Sequence, residues 1–229
     1  MGYTIDSFLK VMKPYAIRDM KSTGILASLT IAQAKVESGT GNSKLTVECN
    51  NLFGIKGTYN GQGKQYWTWE YENGVKVRRY CYFRKYPSWQ ESLNDHSGLF
   101  NRASRYKNLR NCQDYAQACI NVRKDKYCTA PEQEYIGTLT NFIKKHKLWL
   151  IDYEVIKDYP ASKLNTVKQG SKGAGVYLLQ MTLVDKGFKI KVDADFGNKT
   201  LEAVKAYQQQ NHLTDDGIVG QKTWGKLRG

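Results

Sequence analysis

The sequence lacks the features that mark several classes of protein. Its longest apolar stretch, residues 24–34, is interrupted by Ser and Thr and is shorter than the roughly 20 residues that a membrane-spanning helix needs. The N-terminus shows no apolar run followed by a small-residue cleavage site, so no secretory signal is expected. Zinc-finger spacing, ribonucleoprotein aromatic signatures and basic-region heptads are also missing. We therefore expect a soluble globular protein without membrane insertion and without a nucleic-acid partner.

Metal-binding and redox motifs are scarce as well. The chain has three His and five Cys residues and no CxxC pair, so a zinc site is not expected. The cysteines are Cys49, Cys81, Cys112, Cys119 and Cys128. Without a secretory signal, we expect free thiols that are mostly buried as small apolar side chains.

The sequence is rich in basic and aromatic residues. Its 229 residues include 35 Lys and Arg against 21 Asp and Glu, a formal net charge of +14, which predicts an anionic partner. An apolar fraction of 41%, with 12% aromatic residues, is enough to form hydrophobic cores and excludes a disordered chain. The length allows two domains, at roughly 100–200 residues per domain.

Hydrophobic periodicity indicates that residues 1–150 form the first domain. The pattern is mainly helical, and residues 23–37 read as a helix that is apolar on most sides and hence buried. One interruption consists of two aromatic-rich alternating runs on either side of Asn73-Gly74, which is a strong β-hairpin signal.

Residues 151–168 lack a clear period and are interpreted as a linker, and residues 169–229 form a second unit. This unit contains a short internal repeat, in which Gly197-Asn198-Lys199-Thr200 is echoed by Gly220-Gln221-Lys222-Thr223. Each copy opens a predicted helix. Together with the apolar spacing around residues 178–183, the repeat predicts a compact three-helix module.

Glu37 is the candidate general acid. It ends the buried helix and is followed at once by a Gly-rich turn. Burial disfavours the charged form of a carboxyl and raises its pKa, which keeps a proton available near neutral pH. The alternative is an exposed Glu in the last turn of the helix, in mild conflict with the helix dipole. The local pattern leaves both interpretations open.

The hairpin carries further candidates on its first strand. Glu70 and Glu72 are two residues apart and share one face, so either can be the second carboxylate of a glycosidase pair. Alternatively, both are solvated and pair across the strands with Lys or Arg side chains at positions 76, 78 or 79. Trp67 and Trp69 lie on the opposite face, which we expect to be partly core, although stacking on sugar is equally compatible with it.

Five segments carry a family resemblance: residues 32–41, 51–56, 70–74, 83–86 and 127–131, the last with Tyr135 after it. In this order they resemble the glucosaminidase family, glycoside hydrolase family 73. The resemblance covers residues 3–150 and implies an α+β fold: a mainly helical, lysozyme-like catalytic domain with a small β-hairpin lobe. The implied reaction is hydrolysis of the β-1,4 bond between N-acetylglucosamine and N-acetylmuramic acid in peptidoglycan.

The resemblance also implies roles for individual residues. Glu37 corresponds to the general acid, and Glu70 to a second acidic residue that positions or activates water, with Glu72 as the fallback. The expected substrate-binding residues are Asn51, Phe53, Tyr127, Glu72 and Trp69. Two carboxylates suffice for this chemistry, so no metal or other cofactor is expected. His96 is expected to be a hydrogen-bonded helix residue rather than a catalytic base.

Residues 165–229 resemble the peptidoglycan-binding type 1 module, through residues 173–183, 193–200 and 216–224. The resemblance implies a three-helix wall-binding domain, with Trp224 in its core. The expected partner is bacterial cell-wall peptidoglycan, bound by a monomer whose basic charge suits an anionic wall. The missing signal favours a phage endolysin, held in the host cytoplasm until lysis, over a secreted autolysin.

Three other functions are compatible with the sequence. A muramidase or lytic transglycosylase would use the same fold, although transglycosylases usually have Gly-Leu-Met-Gln where this chain has Asn51-Leu52-Phe53-Gly54. A non-catalytic wall-binding protein would use the module alone. A nucleic-acid binder would depend on the net charge and would show a steep salt dependence.

Overall fold

The computed structural model describes residues 2–72, 75–128 and 131–229. In the first domain the helices are α1 (Ile5–Thr23), α2 (Ala27–Glu37), α3 (Lys44–Cys49), α4 (Trp89–Arg102), α5 (Tyr115–Lys124), α6 (Glu132–Lys145) and α7 (Trp149–Ile156), and the strands are β1 (Gly63–Glu72) and β2 (Val75–Arg84). The second unit contains α8 (Ala174–Asp185), α9 (Asn198–Gln210) and α10 (Gln221–Arg228). The α+β class, with a hairpin lobe and a small three-helix domain, is confirmed. None of the helices in the described ranges is both long enough and apolar enough to cross a bilayer.

Helix α2 is the centre of the first domain. Its first eight residues are all buried, and it packs against α1, α5, α6 and α7. Because neighbours surround this helix, an apolar surface on all sides is the pattern it needs. Cys119 of α5 is buried in the same core, and Cys49 is buried as well, whereas Cys81, Cys112 and Cys128 are half-buried, so the expectation that most of the cysteines are buried is wrong.

The N-terminus of α2 is capped by a residue that is distant in sequence. The residue before the helix, Leu26, offers no capping side chain. Instead, the carboxylate of Asp152 on α7 accepts a hydrogen bond from the Ser28 amide at 2.8 Å. Asp152 is buried, and this burial raises its pKa to about 7. A side-chain acceptor at this position satisfies a backbone amide that has no partner within the helix.

The expected linker at residues 151–168 needs a correction in its first part. Residues 151–156 belong to α7, where Ile151, Val155 and Ile156 are buried in the core of the first domain. The sequence shows no period here because α7 has only eight residues, fewer than the window of roughly 11–18 residues in which a helical period can be recognised. The remainder of the segment includes a 3₁₀ turn at Ala161–Lys163 and leads into the second unit.

The second unit is docked against the first domain. The amide of Lys172 donates to the Asp114 carboxylate at 2.8 Å, and the amide of Asn165 donates to the Gln113 side chain at 2.9 Å. Tyr153 of α7 and Tyr177 of α8 meet edge to face, with 4.8 Å between ring centroids. The module therefore has a defined orientation relative to the helical domain.

A buried glutamine organises each copy of the internal repeat. Gln180 of α8 donates to Asp193 at 3.0 Å and accepts from the Ala194 amide at 2.8 Å. Gln208 of α9 donates to Asp216 at 3.0 Å and accepts from the Gly217 amide at 2.9 Å. In each case the amide of one helix holds the loop that leads into the next helix.

The aromatic residue that follows the second copy of the repeat, Trp224, lies in the core of the module. Trp224 is fully buried, and its indole N–H donates to the carbonyl of Asn165 at 3.0 Å. The expectation that Trp224 is a core residue is confirmed.

The buried glutamines are expected to stabilise the module, and neighbouring residues on α9 allow a matched test. Replacing Gln208 by Ala leaves buried loop groups without partners, which should lower the free energy of unfolding by about 1–3 kcal/mol. Gln209→Ala removes an exposed side chain that bonds only to the exposed Asp215 and should cost far less. Chemical denaturation of both variants measures this difference, and equal losses would contradict the assigned role of Gln208.

Candidate active site

Glu37 is the last residue of α2, where the helix emerges from the core. Ala34 is fully buried, Lys35 and Val36 are half-buried, and Glu37 is exposed. Of the two interpretations left open by the sequence, full enclosure of the carboxyl is not observed, because the last turn of the helix reaches solvent. Nevertheless, protein around the side chain removes water from it, and this desolvation raises the pKa of the Glu37 carboxyl.

Two tyrosines lie within the electrostatic reach of Glu37. Burial raises the pKa of Tyr127, and the negative charge of Glu37 raises it further. Burial likewise raises the pKa of Tyr135, with a smaller contribution from Glu37. The hydroxyl of Tyr135 also accepts a hydrogen bond from Gln33 at 3.1 Å. Because Gln33 and Glu37 are four residues apart, they share a face of α2, and this face points toward α6.

Tyr135 is a site residue to which the sequence analysis assigns no role. In the sequence, Tyr135 follows the segment at residues 127–131. Its contact with Gln33 shows that it adjoins the face of α2 that carries Glu37. The useful sequence signal was a polar residue, Gln33, one turn before Glu37 in a helix that is otherwise mostly apolar.

His96 contacts the hydroxyl of Tyr127 and fixes its position. Its Nε2 lies 3.1 Å from the Tyr127 hydroxyl, and its ring stacks on Phe53 with 3.7 Å between centroids. The imidazole is fully buried, which lowers its pKa to about 3 and keeps it neutral at physiological pH. The structure therefore agrees with a hydrogen-bonded helix residue and gives His96 a positioning task.

Asn51 and Phe53 are buried beneath the site. The Asn51 amide donates to the carbonyls of Ile55 and Arg84, both at 2.9 Å, and its oxygen accepts from the Ile55 amide at 3.0 Å. These bonds join the turn after α3 to the end of β2. Both side chains were expected to bind substrate, but both are buried. Asn51, with its amide used in this way, instead shapes the turn, and Phe53 supports His96.

Glu70 forms an ion pair with Lys56, from the segment before the hairpin. The partner in this ion pair is therefore Lys56, and not one of the cross-strand Lys or Arg side chains at positions 76, 78 and 79 that the sequence suggested. Lys56 reaches Glu70 because its backbone bridges to Phe83 of β2, which brings residues 55–57 alongside the hairpin. The pair fixes the Glu70 carboxylate on the face that also carries Tyr66.

The two faces of the hairpin have different surroundings. Strands β1 and β2 pair from Gly63↔Arg84 to Glu72↔Val75, so side chains alternate between the faces. On one face, Tyr66 donates to Glu48 of α3 at 2.5 Å, and Phe83 is buried. On the other face, Trp67 and Trp69 are each 59% exposed.

Two of the sequence expectations are affected by this arrangement. The prediction that the face of Trp67 and Trp69 is partly core is wrong, because a two-stranded sheet has only one face against the domain. Trp69 therefore points away from the face of Glu70. The side chain of Glu72 and the turn at residues 73–74 lie outside the described residues.

A half-buried carboxylate, that of Asp95, anchors the base of the hairpin. Asp95 of α4 accepts hydrogen bonds from Arg84 at 2.5 Å and from Tyr86 at 2.7 Å. Burial opposes ionisation of Asp95, but these bonds hold its pKa below the usual range. Two adjacent residues of α4 thus have different contacts: Asp95 holds the hairpin, and His96 holds Tyr127.

Within the part of the chain that the structure describes, no group of three or more His, Cys, Asp or Glu side chains is placed to hold a metal ion. The described residues of the site present carboxyl and hydroxyl groups. Glu37 with a raised pKa can donate a proton, and Glu70 supplies an ion-paired carboxylate.

Comparison with known families assigns both units. Residues 13–148 match the glucosaminidase family, described as mannosyl-glycoprotein endo-beta-N-acetylglucosaminidase. Residues 172–227 match a family described as a peptidoglycan binding domain. The two matches are separated by α7 and the segment that follows it.

Relatives with known names are similar to the chain over different extents. The exo-glucosaminidase LytG of Bacillus subtilis is 30% identical over 205 residues, a match covering 87% of this chain and 68% of LytG. An autolysin of Enterococcus faecalis is 38% identical over 143 residues, covering 58% of this chain and 19% of the autolysin. This chain therefore spans only a small part of the longer relative.

A solved structure supports the fold of the first domain. The catalytic domain of the autolysin Auto from Listeria monocytogenes aligns with a TM-score of 0.60 and 30% identity, covering 66% of this chain and 91% of that one. A C-terminally truncated glycoside hydrolase domain of FlgJ from Salmonella typhimurium aligns with a TM-score of 0.53 and 29% identity, covering 63% of this chain and 98% of that one.

The role of Asn51 beneath the site can be tested by substitution. Asn51→Ala removes three buried hydrogen bonds and should lower the free energy of unfolding by about 2–4 kcal/mol, with activity falling as the turn before the hairpin loosens. Asn94→Ala, on the exposed side of α4, is the control. Denaturation curves and activity assays on both variants measure the effect. A fully stable Asn51→Ala protein would contradict this role.

Proposed function

The chain belongs to the glucosaminidase family and is a glycoside hydrolase, and we propose that Glu37 and Glu70 are its catalytic residues. The proposed reaction is endo-hydrolysis of the β-1,4 bond between N-acetylglucosamine and N-acetylmuramic acid in peptidoglycan. The observation that carries this proposal is the position of Glu37, at the solvent-facing end of a buried helix, where desolvation raises the pKa of its carboxyl. LytG is named an exo-glucosaminidase, which supports the cleaved sugar, while the family description as an endo-beta-N-acetylglucosaminidase supports the endo mode proposed here. The peptidoglycan binding domain supports peptidoglycan as the substrate.

The mechanism begins with proton transfer from Glu37. As the glycosidic C–O bond breaks, its oxygen takes the proton, and positive charge develops on the sugar ring. The carboxylate of Glu70 stabilises that charge or accepts a proton from the attacking water. The new bond joins the water oxygen to the anomeric carbon, and the cleaved chain leaves as an alcohol. A carboxyl that keeps its proton near neutral pH suits the first step.

The surrounding residues have separate tasks in this proposal. Tyr127, held by His96 and close to the charge of Glu37, contacts the substrate. Asn51 and Phe53 act from beneath as positioning residues. Glu72 remains a proposed substrate-binding residue and the fallback for Glu70. Trp69 is exposed on the face of the hairpin opposite Glu70, so its proposed contact is with sugar away from the bond that is cleaved.

Wall targeting is the proposed task of the docked module. A peptidoglycan binding domain at residues 172–227 supports it, as does the net charge of +14, which suits an anionic polymer. The chain is proposed to act on the wall as a monomer. Storage in a host cytoplasm until lysis remains a hypothesis, which detection of the protein outside intact cells would contradict.

The catalytic assignment is tested by Glu37→Gln, which keeps the shape of the side chain but cannot donate the proton. Hydrolysis of purified cell walls should fall by about 100- to 10,000-fold, the usual contribution of a general acid. Glu154→Gln is a matched control because the Glu154 side chain is 42% exposed and forms a surface ion pair with Lys13. Clearing of a wall suspension measures the rate.

Analysis of the new reducing ends in the same digests identifies the bond. N-acetylglucosamine ends are expected. New N-acetylmuramic acid ends would show a muramidase, and anhydro ends would show a lytic transglycosylase. If Glu37→Gln clears walls as fast as the parent, Glu37 is not the general acid.

A further inference from the structure

The hairpin presents an aromatic and cationic surface on the side away from Glu70. We define the outer face as the described side chains that alternate onto this side: Gln65, Trp67 and Trp69 of β1, and Lys76, Arg78, Tyr80 and Tyr82 of β2. Trp67 and Trp69 are each 59% exposed, Tyr80 is 52% exposed and Tyr82 is 51% exposed. Four large rings exposed side by side on one strand pair form a patch of the kind that marks an interaction surface.

The rings and cations of the outer face contact one another. Trp67 and Tyr80 are directly opposite across the strands, with 5.1 Å between their ring centroids. The Arg78 guanidinium lies 4.8 Å from the centroid of Trp67, and the Lys76 ammonium lies 5.1 Å from that of Trp69. These contacts restrict the rings before any ligand arrives, so less side-chain entropy is lost on binding.

Core formation does not explain this surface. The opposite face of the hairpin packs against the domain. On that face, Tyr66 hydrogen-bonds to Glu48 of α3, and Phe83 is buried. Trp67 and Trp69 are about 7 Å apart along the strand, a row of flat apolar surfaces suited to an extended polymer. Lys76 and Arg78 alongside add positive charge, which favours a polymer that carries anionic groups.

We propose that the outer face binds a second peptidoglycan strand, separate from the strand that is hydrolysed. The rings would pack against the C–H faces of the sugars, and Lys76 and Arg78 would pair with carboxylates of the wall polymer. This inference rests on the proposed function only in taking peptidoglycan as the ligand. Such a surface would hold the enzyme on a layered wall while Glu37 acts on a neighbouring strand.

A single-stranded nucleic acid also combines flat rings with negative charge, and aromatic rows with Arg and Lys bind it. The glycan is favoured here because both units of the chain match families described by glycan chemistry or peptidoglycan binding. Binding to single-stranded DNA is therefore measured alongside, as an outcome that contradicts the proposal.

The test uses the full chain with Glu37→Gln in the background, so that binding is measured without hydrolysis. The ligand is purified cell-wall peptidoglycan freed of phosphate polymers, and the readout is co-sedimentation. Trp67→Ala and Tyr80→Ala should each weaken binding by about threefold to tenfold, the value of one aromatic contact. Trp67→Tyr should retain most of the affinity. Val47→Ala, at a side chain 71% exposed on α3, is the control and should leave affinity unchanged.

A second arm separates the outer face from the active site. With Glu37 intact, Trp67→Ala should hydrolyse a short soluble glycan of the same repeat at the parent rate. Arg78→Ala should weaken wall binding at low salt and have less effect at high salt.

Three results would overturn the proposal: unchanged wall binding by Trp67→Ala, an equal loss of soluble turnover, or tighter binding to single-stranded DNA than to the wall. If Glu37 is not the general acid, these binding results are unaffected, because loss of wall binding by Trp67→Ala does not depend on Glu37.

Discussion

The exposed end of one buried helix is the constraint on which the site depends. Helix α2 crosses the core of the first domain, so its direction is fixed by neighbours on every side. Asp152 holds its N-terminus from α7, and Glu37 stands at the other end. The protein around Glu37 raises the pKa of its carboxyl while solvent, and hence substrate, can still reach it. A general acid needs both properties together.

Helix α4 connects the two parts of the proposed site. Asp95 binds the base of the hairpin through Arg84 and Tyr86, and the next residue, His96, contacts Tyr127. The turn held by Asn51 joins the same strand end. Helix α4 therefore fixes the positions of both Glu70, on the hairpin, and Tyr127, on the helical side. This arrangement explains why polar side chains are buried beneath the site.

Local patterns in the sequence predicted the features that depend on local structure. Alternation around Asn73-Gly74 predicted the hairpin, and an apolar helix ending at a Gly-rich turn marked Glu37. Features that depend on distant contacts were not predictable in this way. The cap from Asp152, the partner of Glu70 and the exposure of the face of Trp67 are set by what packs against each element. The helix at residues 149–156 was not predicted because its eight residues are too few to show a helical period.

The most direct test of this account is the ionisation of the Glu37 carboxyl itself. A carbon-13 NMR titration of the chain labelled at glutamate side chains, with the Glu37 signal assigned by its loss in Glu37→Gln, measures this pKa. The account predicts a midpoint above that of ordinary glutamates, so that the proton is lost, and activity with it, only as the pH rises through this higher value. A midpoint at or below the ordinary value would contradict the central role given to desolvation at the end of α2.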